Sequence, residues 1–434
     1  MLEIMALLAC LNPVLNYTSI RQLACIAEAM LAMSGRVTML GISRWTREGS
    51  RYRTIQRFFD TQFNWPAIRW LFARRYLLED ENDTVVIIGD EVNVTKSGKK
   101  TYGIGRFFSS LYGKAVPSIY FLNLALLSVK NRRSSPIMME QITPDVMKSS
   151  SDKKKSVLNA KSGRPLGRKN KNRKDVELSP HLKFVQNTLK SLLTIVNTDL
   201  TLVYFVFDGA FGNNNALQMV RQCQLHLISK MRHDSALYLP YAGKYSGRGP
   251  RKKYGKKLNC RAIAKKYLKS TSYDGNIRTE IYQCHSWHKR FADMLNVVII
   301  KKTHLKTGKV AHVILFSSDL TLTYDKLVEY YQLRFQIEFN FRDAKQFWGL
   351  EDFMNIKQTQ INNAANLSMF MVNLSQALLR KKTGVFGKSI NDLKSWFRAS
   401  KYVETTLKLL GQNPDTILIE NMTIQASRMG RVNP

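Results

Sequence analysis

Two apolar runs, each followed by an aspartate, constrain the fold of this chain more than any other feature. Residues 84–88 form a short β-branched run before Asp90, and residues 200–207 form a second run before Asp208. Such continuous runs are typical of strands buried on both faces, as in an α/β sheet. A lone aspartate after a strand is commonly only a turn former. Two of them are more informative, because an unpaired carboxylate is costly to bury and should therefore face a cleft. The ends of neighbouring strands line the same crevice. We therefore expect an α/β fold with Asp90 and Asp208 facing the same cleft.

A third carboxylate lies within an amphipathic helix predicted over residues 324–347. The polar face of this helix carries Tyr331, Arg334, Glu338 and Lys345. The last three follow the tyrosine by 3, 7 and 14 residues. At roughly 100° per residue, all four side chains share a stripe about 60° wide. A solvated polar face is the simplest interpretation of a lone helix, but Asp90, Asp208 and Glu338 together predict a site for a hard cation such as Mg²⁺.

Charge limits the partners of this chain. The sequence contains 67 Lys and Arg against 32 Asp and Glu, a formal net charge of +35. Such an excess is typical of proteins that bind a polyanion, and a long nucleic acid is the expected partner. No apolar run reaches the roughly 18–20 residues of a membrane-spanning helix, so no membrane contact is expected.

Other sequence features indicate a cytoplasmic protein without a nucleotide cofactor. The first residues lack the basic region of a signal peptide. The five cysteines are scattered along the chain, which favours a reducing compartment over a disulfide framework. The sequence has no G-x-x-x-x-G-K-[ST] motif for binding nucleoside triphosphates, which disfavours an NTP-driven enzyme.

Basic side chains concentrate in three segments that are predicted to contact DNA. Residues 1–80 should form short helices that interleave cations with aromatic rings, and their candidate phosphate contacts are Arg44, Arg51, Arg53 and Arg57. Residues 151–175 are predicted to be a mobile loop whose candidate DNA contacts are Arg164 and Arg168. Electrostatic contact with phosphates is favoured over minor-groove binding for this loop. Residues 244–257 add Lys252 and Lys253. Trp287 is a candidate for stacking on a flipped base, although a lone tryptophan is more often packed in a core.

The segments that carry the three acids also resemble a known family. Asp90-Glu-Val-Asn-Val-Thr-Lys96-Ser-Gly98 is similar to the segment around the first acid of the IS4-type DDE transposases, and Asp208-Gly209 resembles that of the second. Ser318-Asp319-Leu320 and the pattern Y-x2-R-x3-E-x6-K, from Tyr331 to Lys345, resemble the run into the third acid. Val92 and Ser318 depart from the residues usual in that family, but neither is one of the acids.

This resemblance implies a fold, an activity and a set of ligands. The fold would be an RNase H-like catalytic core with a helical N-terminal DNA-binding region, a β-rich insertion and a helical C-terminal region. Asp90, Asp208 and Glu338 would be the catalytic acids and would hold two Mg²⁺ ions, for which Mn²⁺ can substitute. Tyr331, Arg334, Lys345 and Lys96 would bind the DNA backbone. The implied activity is cut-and-paste transposition of double-stranded DNA by a homodimer at the bacterial nucleoid.

The resemblance and the shifts in composition divide the chain into five parts. We expect a helical DNA-binding domain at 1–80, the two parts of the core at 81–232 and 318–360, a β-rich insertion at 233–317, and C-terminal helices at 361–434. The C-terminal helices are a candidate dimer interface.

Two other functions remain open from the sequence. A transposase-derived regulator would bind the same DNA ends without cutting them. A metal-independent recombinase would use Tyr330 or Tyr331 as a covalent nucleophile, with Arg334 holding the phosphate. Chelation of metal ions separates the recombinase from the transposase, because only the DDE mechanism requires a metal.

Overall fold

The structure, a computed structural model, describes residues 2–46, 52–109, 112–147, 172–196, 199–245, 247, 249–381, 387–411 and 415–431. These residues form a mixed α/β fold that combines one large mixed sheet with helices at both ends of the chain. The predicted α/β class is therefore confirmed.

Twelve strands pair into one sheet within the described residues. They are β1 (Val85–Thr95), β2 (Gly105–Ser109), β3 (Lys114–Ser128), β4 (Arg133–Ile142), β5 (Tyr204–Val206), β6 (His226–Met231), β7 (Leu237–Pro240), β8 (Tyr254–Lys257), β9 (Leu268–Asp274), β10 (Ile277–His288), β11 (Leu295–His304) and β12 (Val310–Ser317).

The helices lie mainly before β1 and after β12. They are α1 (Leu2–Leu8), α2 (Tyr17–Ala32), α3 (Met39–Trp45), α4 (Tyr52–Asp60), α5 (Trp65–Tyr76), α6 (Pro144–Met147), α7 (Pro180–Val196), α8 (Asn214–Gln222), α9 (Tyr324–Leu333), α10 (Gln336–Phe347), α11 (Gln358–Lys381), α12 (Ile390–Leu409) and α13 (Thr416–Arg428).

The central part of the sheet has the order β4-β3-β1-β5-β6. β3 is antiparallel to both β1 and β4, whereas β1, β5 and β6 run parallel to one another. Residues 85–88 of β1, and Phe205 and Val206 of β5, are buried, as expected for strands covered on both faces. Both buried-strand runs predicted from the sequence therefore form neighbouring strands of one sheet.

The strands of residues 233–317, the predicted β-rich insertion, continue this sheet. β10, β11 and β12 pair antiparallel in sequence, and β12 pairs antiparallel with β6. β7 and β9 pair with β10, and β8 pairs with β7. The residues expected as an insertion are thus joined to the core by a continuous hydrogen-bonded ladder.

One prediction about the first acid-bearing strand is wrong. β1 does not end near Ile88 but continues to Thr95, so Asp90 lies inside the strand. The reason is β3, which pairs with β1 along its whole length and carries the ladder past Gly89. β5, in contrast, is shorter than the apolar run that predicted it.

The long helix predicted over residues 324–347 is divided in two. α9 ends at Leu333 and α10 begins at Gln336. At the junction the backbone N–H groups of Ile337 and Glu338 donate to carbonyl oxygens three residues earlier. Such bonds tighten the backbone relative to an α-helix, so the angular positions of one ideal helix do not hold across this junction.

Buried polar side chains on α11 connect the N-terminal helices to the sheet. Asn363 accepts a hydrogen bond from Trp65 Nε1 (2.8 Å) and donates to two carbonyls at and just after the end of α4 (2.8 and 2.7 Å). Arg69 of α5 is fully buried and donates to the carbonyl of Ile137 on β4 and to Asn366 Oδ1. These bonds attach the helices of both chain ends to one edge of the sheet.

Two cations of α12 bind the end of α2. Lys394 Nζ donates to the carbonyl of Met30 (2.6 Å), and Arg398 Nε donates to that of Ala32 (3.0 Å). The last carbonyls of a helix lack partners within it and favour positive charge. The N-terminal and C-terminal helices therefore contact each other directly, while the division into five parts stays a prediction.

Some predictions concern residues outside the described ranges. Residues 151–171 of the predicted basic loop, which include Arg164 and Arg168, are outside the described ranges. Arg51 is also outside them. Within the described ranges, no helix combines the length and apolar character needed to cross a membrane.

We expect Asn363→Ala to lower the free energy of unfolding by about 2–4 kcal/mol, because it leaves the buried Trp65 Nε1 without an acceptor and two carbonyls without a donor. Urea unfolding followed by tryptophan fluorescence measures this change. Gln358→Ala, at the exposed start of the same helix, is the control and should change stability by no more than about 0.5 kcal/mol. Equal losses in the two variants would contradict the structural role of Asn363.

Candidate active site

The parallel register of β1 and β5 brings two acids to the same level of the sheet. Ile88 pairs with Val206, and Asp90 and Asp208 each lie two residues further along. Asp208 caps a short 3₁₀ turn, since its carboxylate accepts the N–H of Ala210 at 2.9 Å. Both aspartates are half-buried.

Gly89 leaves room for the aromatic rings beside this pair. A Cβ atom at Gly89 would lie 2.7 Å from the ring of Phe207 and 3.0 Å from that of Phe205. Contacts this short force a neighbour to move. A side chain at this position would therefore force these rings to move, directly beside Asp90.

Arg334 joins the first acid to the third. Its Nη1 lies 3.3 Å from Asp90 Oδ2, and its Nη2 lies 3.3 Å from Glu338 Oε1. The arginine side chain is 13% exposed, whereas Glu338 is 41% exposed. Glu338 lies in the first turn of α10, where the helix dipole favours negative charge. Asp90, Arg334 and Glu338 thus form one charged cluster.

Electrostatic coupling connects all three acids. Burial is the main cause that raises the pKa of Asp90 to about 6, and the charges of Asp208 and Glu338 raise it further. The N–H of Glu91 and the guanidinium of Arg334 act in the opposite direction. An aspartate shifted by neighbouring carboxylates is typical of a functional site.

The three acids fit a divalent cation by their chemistry. Carboxylate oxygens are the ligands that Mg²⁺ prefers, and the mutual repulsion of these acids is what a cation would relieve. Within the described ranges, no group of three or more His, Cys, Asp or Glu side chains is close enough to hold a metal. The guanidinium of Arg334 occupies the region between Asp90 and Glu338.

Two predicted DNA contacts are bound inside the protein. Lys345 Nζ donates to the carbonyl of Asn93 (3.2 Å) and pairs with Glu351 (2.7 Å). Lys96 Nζ donates to the carbonyls of Glu351 and Phe353 and lies 3.7 Å from the centroid of the Phe353 ring. A phosphate contact by either lysine would require it to leave these partners.

The tyrosines of the alternative recombinase mechanism are poorly suited to nucleophilic attack. Tyr330 is only 4% exposed, and burial raises its pKa. Tyr331 is half-buried, and burial likewise raises its pKa even though the guanidinium of Arg334 lies 5.9 Å from the ring centroid. A higher pKa leaves less of the reactive phenolate at neutral pH, which disfavours this mechanism.

A polar cluster next to the acids was not predicted from the sequence. The carboxylate of Glu91 contacts His181 Nε2 at 2.5 Å and accepts a hydrogen bond from the Tyr120 hydroxyl at 2.6 Å. Side-chain alternation directs Glu91 to the face of β1 opposite Asp90. His181 lies in the first turn of α7 and is 90 residues from Glu91 in sequence, so no local motif could have paired them.

The remaining predicted DNA contacts lie in other parts of the molecule. Arg44 on α3 and Arg53 and Arg57 on α4 are exposed. Lys252 and Lys253 are exposed near β8, and Lys253 Nζ lies 5.4 Å from the centroid of the Trp287 ring. Trp287 itself is half-buried and packs against Tyr254, so it is partly a packing residue.

Comparison with known proteins identifies the family. Residues 7–293 match the DDE superfamily endonucleases, and because this match covers more than half of the chain, the chain belongs to that family. Such endonucleases act on DNA and generally use divalent metal ions. The matched residues include Asp90 and Asp208 but end before Glu338, so the match does not cover the predicted third acid. No curated protein matches the chain.

Replacing Asp90 by Asn should stabilise the metal-free protein near neutral pH. A carboxyl whose pKa is higher in the folded state destabilises that state when it is ionised. With a pKa of about 6 against an ordinary value of 3.8, this penalty is complete above about pH 6 and disappears as the pH falls towards 4. Asp90→Asn should therefore raise the free energy of unfolding by about 1–3 kcal/mol at pH 7 and change it little at about pH 4.

Urea unfolding in EDTA across this pH range measures the effect. Asp274→Asn, at the exposed end of β9, is a control that should show little change at any pH. A destabilised Asp90→Asn variant at pH 7 would contradict the electrostatic description of the site.

Proposed function

We propose that this chain is an IS4-type transposase that cleaves the ends of its own DNA element and transfers them to a target by a cut-and-paste reaction. The observation that carries the proposal is the charged cluster of Asp90, Arg334 and Glu338, with Asp208 at the same level of the sheet. Three acids and a cation in a very basic DDE-family chain are suited to phosphodiester chemistry.

The topology of the sheet supports an RNase H-like core. In the order β4-β3-β1-β5-β6, the first three strands pair in an antiparallel arrangement. The last two, β5 and β6, run parallel to β1, the central strand of the five. The first acid lies on the central strand, the second follows its parallel neighbour, and the third lies on a helix after the sheet. This distribution agrees with the core that the sequence resemblance implies.

The proposed chemistry assigns all three acids to metal binding. Asp90, Asp208 and Glu338 would together hold two Mg²⁺ or Mn²⁺ ions. Such ions, when bound, activate a water or a 3′-hydroxyl for in-line attack and stabilise the leaving oxygen. Arg334 would hold a phosphate beside the scissile bond, and Tyr331 would position the guanidinium.

The wider DNA contacts are proposed from exposed cations. Arg53 and Arg57 project from α4, whose other face carries buried Ile55 and Phe58. Lys345 and Lys96 are candidate phosphate contacts only if they leave their partners inside the protein when DNA binds. Stacking of a flipped base on Trp287 likewise requires that the ring leave its packed position.

A homodimer in the bacterial cytoplasm is part of the same proposal, since two element ends must be held together. Several apolar side chains of the C-terminal helices are exposed, including Leu409 (83%) and Ile417 (72%). Exposed apolar surface of this kind is suited to a protein–protein contact.

Cleavage of the DNA that flanks this gene should require both Mg²⁺ and Glu338. We expect the wild-type protein to nick the element ends with Mg²⁺ but not with EDTA, and Glu338→Gln to reduce the rate by at least about a thousandfold, because a hard-cation ligand is lost. Glu329→Gln, an acid on α9 that pairs with Arg132, is the matched control and should cleave normally. Binding of the ends without cleavage under any condition would instead indicate a regulator.

The exposed arginines of α4 should contribute to DNA binding through phosphates. Arg53→Ala combined with Arg57→Ala should weaken DNA binding and reduce the slope of log affinity against log salt by about 1.8, at roughly 0.9 per lost phosphate contact. Arg428→Ala, an exposed arginine on α13, should leave the slope unchanged. Fluorescence anisotropy across a salt series measures both, and an unchanged slope in the double variant would contradict the assignment.

A further inference from the structure

Arg334 supplies the positive charge between the acids of the proposed metal site. Its two terminal nitrogens contact Asp90 and Glu338 at 3.3 Å each. The side chain is 13% exposed, so this charge is poorly screened by solvent. In this arrangement the guanidinium holds oxygen atoms that a divalent cation would need.

A divalent ion and the guanidinium compete for the same oxygens. Arg334 takes a lone pair on Asp90 Oδ2 and another on Glu338 Oε1, while Asp90 Oδ1 already accepts the N–H of Glu91. An ion that uses the same lone pairs must displace the guanidinium. Two positive groups a few ångströms apart also repel strongly in a partly buried site. Binding of the ion should therefore drive the arginine out of its present contacts.

A DNA phosphate offers the displaced guanidinium a new partner. Arginine binds phosphate with paired hydrogen bonds, and Arg334 Nε is buried without a hydrogen-bond partner. That orphan N–H shows that the present contacts with the two acids do not satisfy the whole guanidinium. A phosphate oxygen at the mouth of the site would satisfy it while releasing both carboxylates.

We propose that Arg334 is a positioning residue that couples metal binding to DNA binding: it closes the acid site in the free protein and opens it when a DNA phosphate takes its guanidinium. This inference rests on the proposed function. Each ligand then raises the affinity for the other, as thermodynamic linkage requires. The free protein is thereby kept from holding a fully loaded metal site before DNA is bound.

Mn²⁺ binding to the full chain tests this coupling, with free Mn²⁺ measured by electron paramagnetic resonance. The titrations use protein alone and protein saturated with a short duplex from the flank of its gene. For the wild type, DNA should tighten Mn²⁺ binding by at least about tenfold, within the usual range of allosteric coupling. In the absence of DNA, Arg334→Gln should bind Mn²⁺ about tenfold more tightly than the wild type. The factor by which DNA tightens Mn²⁺ binding should be about tenfold smaller in this variant.

Two further variants separate coupling from general charge effects. Arg342→Gln removes an arginine of α10 that pairs with Asp343 rather than with the three acids, and it should behave as wild type. Arg334→Lys keeps the charge and should retain part of the coupling.

The possible failures are distinguishable. If Arg334→Gln binds Mn²⁺ no more tightly than wild type in the absence of DNA, the coupling role is wrong while the proposed function stands. If no variant binds Mn²⁺ with or without DNA, the proposed function itself is wrong, and this inference with it.

Discussion

The parallel pairing of β1 with β5 is the contact on which the rest of the molecule depends. It sets Asp90 and Asp208 at one level of the sheet, and a slip of one residue would turn Asp90 to the opposite face. β3 holds the other edge of β1 over its whole length, which makes such a slip costly. Gly89 allows the rings of Phe205 and Phe207 to pack beside β1. The acid pair is thus positioned by backbone pairing and core packing, which do not depend on a ligand.

Some of the cations of this chain stabilise the fold and are not free to bind DNA. Burial lowers the pKa of Arg69 to about 9, of Lys96 to about 8 and of Lys394 to about 7. Each of these side chains donates to backbone carbonyls inside the protein. Arg334 likewise neutralises two acids of the site. The formal charge of +35 therefore overstates the number of cations available to a polyanion.

The sequence predicted those features that local pattern controls. Buried strands before Asp90 and Asp208 follow from apolar runs, whereas the contact of Arg334 with Glu338 spans the junction between α9 and α10 and was not predicted. The extension of β1 to Thr95 depends on a partner strand, and the junction between α9 and α10 has no glycine or proline to signal it. Contacts between distant segments, such as that of Glu91 with His181, leave no pattern in the sequence.

X-ray crystallography can show whether the three acids bind metal. Crystals of the protein with flanking duplex DNA and Mn²⁺, measured at a wavelength where manganese scatters anomalously, would show each ion without reference to activity. We expect anomalous peaks in contact with carboxylate oxygens of Asp90, Asp208 and Glu338, with Arg334 turned to a phosphate. Peaks only elsewhere, for example at the Glu91 and His181 cluster, would contradict the assignment of the three acids as metal ligands.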